Sequence, residues 1–86
     1  MIKSKYLLGC DPECFLFRDG EFISGEGIIP GNKSQPYPVD HGAIQLDGLA
    51  AEFNIDPVDN PEDWNRNISV VIEQLKEIIH KHDPDI

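Results

Sequence analysis

The sequence predicts an α+β fold: an antiparallel sheet of four to five strands, built on two hairpins and covered on one face by a C-terminal helix. Three observations carry this reading. Asp19-Gly20 and Asp47-Gly48 each separate short β-rich runs, and Asp-Gly signals a two-residue hairpin turn because a type I′ turn needs positive φ at both central residues. Around the second pair, apolar and polar residues alternate with the period of a strand. From Trp64 onward, apolar residues recur at three- and four-residue spacing, the period of a helix with one buried face.

Lys5 to Cys10 reads as a first strand, interrupted at Asp11-Pro12, where proline removes a backbone donor and restricts the residue before it. Glu13 to Arg18 and Glu21 to Ser24 form the first hairpin. Residues 25–42, GEGIIPGNKSQPYPVDHG, hold four glycines and three prolines, which predicts a long ordered loop with little regular structure. Ala43 to Leu46 and Leu49 to Ile55 flank the second turn. With Asp47-Gly48 as that turn, Leu46 stands opposite Leu49 and Ile44 opposite Ala51. Alternation then places Ile44, Leu46, Leu49, Ala51, Phe53 and Ile55 on one face, and Ala43, Gln45, Ala50, Glu52 and Asn54 on the other.

The apolar face needs a cover, and the last segment supplies it. Asn60 caps a helix, Pro61 takes its first position, and Glu62 and Asp63 meet the positive end of the dipole. The helix runs to about His82, with Trp64, Ile68, Val71, Ile72, Leu75, Ile78 and Ile79 in one stripe, and Asp83-Pro84 ends it.

The chain has 86 residues, enough for one domain, since chains of this size bury only about 60 to 65% of their unfolded surface. The net charge of −9 is spread out: nine acidic and four basic side chains through residue 58, then seven and three. Such a surface repels nucleic-acid phosphates and anionic membranes. DNA mimicry needs dense rows of carboxylate, whereas these acids alternate with apolar residues. Two cysteines, Cys10 and Cys14, exclude a four-cysteine zinc site and do not read as a disulfide framework. The N-terminus lacks a signal-peptide core and no apolar run is long enough to span a membrane, so a soluble cytoplasmic protein is expected.

Glu13, beside the strand break, and Glu52, on the polar strand face, are the carboxylates placed to act. Acids from neighbouring strands form a hard oxygen site suited to Mg²⁺ or Mn²⁺ with phosphate completing the shell; the same pattern also describes solvated surface acids. GEGIIPGNK is not a Walker loop, because Asn32 separates the glycine from Lys33, although its backbone amides and Lys33 can meet an anion. His41 is a candidate ligand or base at a strand entrance. His80 and His82, two apart, do not share a helix face.

Three motifs in order, GCDPECFLF, SGEGIIPGNKSQPYPV and GAIQLDGLAAEFNIDP, followed by a capped helix, resemble the phage carboxylate-amine ligases, distant kin of glutamine synthetase and glutamate-cysteine ligase. The resemblance covers nearly the whole chain. It implies an antiparallel sheet whose concave face holds ATP and divalent metal, joining a carboxylate to an amine through an acyl phosphate. By resemblance, the Asp-Pro-Glu motif falls on Asp11, Pro12 and Glu13 and the Glu-Phe-Asn motif on Glu52, Phe53 and Asn54. Glu13 and Glu52 are then the metal carboxylates, with Lys33, Gln45 and Asn54 as cofactor-binding residues and Asp47 nearby. Family enzymes continue well beyond the helix, so this chain is expected to be a half-site, inactive alone and completed by a homodimer or another chain. The alternative is a protein-interaction or inhibitor module on a reduced ligase-like fold. Unpaired sheet edges favour self-association in either case.

Overall fold

A computed structural model describes residues 12–86. The expected strand from Lys5 to Cys10 lies outside those residues. The described elements are β1 (Glu13–Cys14), β2 (Leu16–Arg18), β3 (Glu21–Ile23), β4 (Tyr37–Val39), β5 (Gly42–Asp47), β6 (Ala50–Ile55) and α1 (Pro61–His82). They form a four-stranded antiparallel sheet in the order β1-β6-β5-β4, a two-stranded β2-β3 ribbon and one helix packed on β5 and β6. The α+β fold read from the sequence is therefore present.

The first hairpin turns at Asp19-Gly20 with φ of 52° and 80°, the double positive φ of a type I′ turn. The second does not turn where its Asp-Gly pair suggests. Asp47 pairs with Ala50, Leu46 with Ala51, Ile44 with Phe53 and Gln45 with Glu52, so the loop is Gly48-Leu49. Gly48 has φ +62° while Leu49 is not in the left-handed region, the pattern of a type II′ turn that asks for glycine at its first central position. Leu49, expected on the apolar face, sits in the turn and is exposed.

The stretch predicted to lack regular structure contains β4. Val39 pairs with Gly42 across the two-residue turn Asp40-His41, with His41 at φ +64°. Pro38 is tolerated because β4 is an edge strand and proline's missing donor faces away from the ladder. The outer edge is blunted by other means as well. Pro36 has no N–H, and the Gln74 side chain of α1 both accepts from the Asp40 N–H (2.9 Å) and donates to the Asp40 carbonyl (2.8 Å). An added strand finds no free backbone donor from Pro36 to Asp40, only carbonyl acceptors, which makes β4 a poorer edge for pairing than a strand without proline.

The core lies between sheet and helix. Ile44, Ala51, Phe53 and Ile55 are buried on the apolar face against Val71, Leu75 and Ile79 of α1, with Leu16 and Ile29 joining from the ribbon and the loop. Asn60 caps α1 by accepting from the Asp63 N–H at 2.8 Å. The helix also buries Asn67, whose side chain donates to the Asp56 carbonyl (3.1 Å) and ties the β6–α1 connection to the helix.

Candidate functional site: a row of carboxylates on the polar face

Register builds the site. Glu13 of β1 pairs with Glu52 of β6, which pairs with Gln45 of β5. Residues directly opposite in neighbouring strands point to the same face, so these three side chains form one row across the sheet. Asp47, two residues on from Gln45, and Asn54, two on from Glu52, share that face. Gln45 is buried and donates through Nε2 to Glu52 Oε2 at 2.8 Å, fixing one carboxylate oxygen.

Lys33 arrives from the loop. Asn32 Oδ1 accepts from the N–H groups of Ser34 and Gln35, both at 2.9 Å, making a tight local turn around the lysine. Two backbone bonds then dock the loop on the β5–β6 hairpin: the Leu46 N–H donates to the Gly31 carbonyl (3.1 Å) and the Gly25 N–H to the Leu49 carbonyl (2.8 Å). Lys33 Nζ thereby reaches Asp47 Oδ1 at 3.2 Å.

The electrostatics are those of crowded acids with one cation. A hydrogen bond with Asp47 and the negative charge of Asp47 hold the Glu13 carboxyl above the usual glutamate range; desolvation and Glu52 push the same way, while Lys33 opposes. Asp47 is held below its usual range, first by Lys33 and then by Glu13. Asp47 in turn raises Lys33. The linkage signs differ. Glu13 contributes most below its ordinary value of 4.5 and loses that contribution as pH rises through its raised folded value, whereas the Asp47 contribution is lost as pH falls through its lowered one. Carboxyl-carbon NMR titration is expected to place the Glu13 midpoint above 4.5, and Asp47→Asn should bring it down. A Glu13 midpoint unmoved by Asp47→Asn would show that the two carboxyls do not meet.

Glu13, Glu52, Gln45 and Lys33 thus come together, with Asn54 further along the same face. Asp47, read from the sequence only as a neighbour, is the hub that joins Lys33 to Glu13. His41 is a turn residue whose carbonyl accepts from the Asp56 N–H at 2.8 Å; it lies at the opposite end of β5 from Asp47. His80 Nε2 bonds the Ile86 carbonyl at 2.9 Å. Cys14 packs against the core, and burial pushes its thiol up, which favours the unreactive protonated form. Among the described residues, no three His, Cys, Asp or Glu side chains converge into a metal cage. No helix among them is long and apolar enough to cross a membrane. Comparison with family models, curated proteins and solved structures finds no match for this chain.

Proposed function

We propose that the polar face binds a divalent cation, Mg²⁺ or Mn²⁺, together with the phosphates of ATP, as a ligase-like half-site that does not turn over alone. The supporting observation is the direct opposition of Glu13 and Glu52 across β1 and β6. Like charges opposite one another destabilise a strand pair, and a hard cation between them removes that cost.

The donor set suits such an ion. Mg²⁺ takes one or two carboxylates, keeps several waters and accepts phosphate oxygens, in place of an all-protein cage. Glu13 and Glu52 would hold it, and Gln45 keeps Glu52 oriented through its amide. Among the described residues, Lys33 is the cation nearest the row; it would be shared between Asp47 and a phosphate, with Asn54 offering an amide on the same face. A bound divalent ion would screen phosphate charge.

Basic side chains are too few for phosphoryl transfer, whose transition state needs several positive groups. Before the helix the chain has four Lys or Arg, Lys3, Lys5, Arg18 and Lys33, and Arg18 is paired with Asp83 beyond the far end of α1. Turnover therefore requires a completing chain, either a second copy or a different protein.

Titration calorimetry of the chain with Mg²⁺ and ATP tests this. Glu52→Ala, checked for folding by circular dichroism, should weaken binding at least about tenfold, as removal of a metal-site group commonly does. A folded parent that gives no binding heat sinks the proposal.

A further inference from the structure

We infer that the outward face of the β2–β3 ribbon docks a protein segment carrying an aromatic or aliphatic anchor flanked by lysine or arginine. Five large apolar side chains remain exposed among the described residues, and three belong to this ribbon and the residue before it: Phe15, Phe17 and Phe22, at 60%, 53% and 45% exposure. They touch one another, with ring centroids 6.0 Å apart for Phe15 and Phe22 and 6.1 Å for Phe17 and Phe22. Register explains why they are outside. Leu16 and Ile23 pair and turn toward the core, so the Phe17–Phe22 pair must face away from it. The inward pair anchors the ribbon without help from these rings, and grouped aromatic surface of this kind marks recognition sites.

Charge selects the partner. Glu13 shares the alternation of Phe15 and Phe17, since Cys14 and Leu16 both pack on the core, so the carboxylate row borders one end of the aromatic cluster. Asp19 stands exposed at the turn on the other end, whereas Glu21, opposite Arg18, takes the inward face with Leu16 and Ile23. Among the described residues, the neighbouring cations are engaged, Lys33 with Asp47 and Arg18 with Asp83. An aromatic centre with an acidic rim is complementary to an apolar anchor with basic flanks. A second copy would instead bring the same acids on a chain of net charge −9. This inference does not depend on cation binding.

The test is selection of phage-displayed random peptides on the immobilised full chain, followed by fluorescence anisotropy of the enriched peptides. Enriched sequences should place Lys or Arg beside an apolar anchor. They should bind Phe17→Ser/Phe22→Ser at least tenfold more weakly, and several-fold more weakly in 0.5 M salt, where exposed charges are screened. Should that variant fail to fold, Asp19→Lys should still weaken them. No enrichment, enrichment without basic residues, or equal binding to the folded phenylalanine variant overturns the inference. So does a dimer of the chain alone that Phe22→Ser dissociates on sedimentation, which assigns the face to self-association. Nuclear Overhauser contacts between these rings and residues 1–11 in a monomer overturn it likewise.

Discussion

Phe53→Ala is expected to cost about 3–5 kcal/mol, the usual range for removing a buried aromatic ring from a core. Phe53 is 2% exposed, stands opposite Ile44 in the centre of the sheet, and belongs to the cluster formed with Val71 and Leu75 of the helix. A domain of this length has a total stability of about 4–13 kcal/mol, so the variant should lie at or near the limit of folding. Urea denaturation followed by the fluorescence of Trp64, the single tryptophan, measures the loss. A cost under about 1 kcal/mol would contradict the helix-on-sheet packing, because only an accessible ring is that cheap to remove.

Gly42→Ala should be nearly as severe, for a different reason. A Cβ at Gly42 would lie 2.1 Å from the Asn54 carbonyl oxygen and 2.8 Å from Val71 Cγ2. The oxygen belongs to the backbone of β6 and cannot retreat without disturbing the ladder, so we expect about 3 kcal/mol, the upper end of overpacking penalties. Gly48→Ala is the control. Its Cβ would meet nothing within 4 Å, yet φ is +62°, so it should cost only about 1–2 kcal/mol of left-handed strain. Comparing the two denaturation midpoints separates steric exclusion from backbone conformation. Equal costs would mean that the strand pair and α1 do not close on Gly42 as described.

Both predictions bear on the carboxylate row, because it exists only while the ladder holds register. The Gly42–Ile55 pair ends the same β5–β6 ladder that sets Gln45 opposite Glu52. A one-residue slip would turn Glu52 into the core and Phe53 toward water, a cost that ties the placement of Glu52 to the stability of the hydrophobic face.

Much of this architecture was legible in the residues. Asp19-Gly20 turns as its type requires, Asn60 and Pro61 start the helix, and Asp83 ends it, because each depends on local backbone chemistry. The two faces of β5 and β6 follow from alternation alone, and Glu52 and Gln45 lie on the polar one as expected. β4 was hidden because Pro36 before it and Pro38 within it argue against a ladder strand, and only its place at the sheet edge makes Pro38 harmless. Asn67 was missed in the helix because a polar side chain interrupts the apolar stripe; its bond to the Asp56 carbonyl is a tertiary event.

The second hairpin marks the division most sharply. Strand alternation has period two, so a pairing shifted by two residues keeps every side chain on its own face and leaves the apolar pattern unchanged. Apart from Leu49, which the shift carried into the turn, the sequence therefore determined which residues face the helix and which face away. It could not choose between Gln45 opposite Ala50 and Gln45 opposite Glu52. That choice fell to the Gly48-Leu49 turn and to packing that sets Phe53 against Ile44. The same shift moved Asp47 out of the turn and into β5, where the docked loop brings Lys33 to it across 3.2 Å. Contacts between residues this far apart depend on where the chain closes in space, and residue pattern carries no record of that.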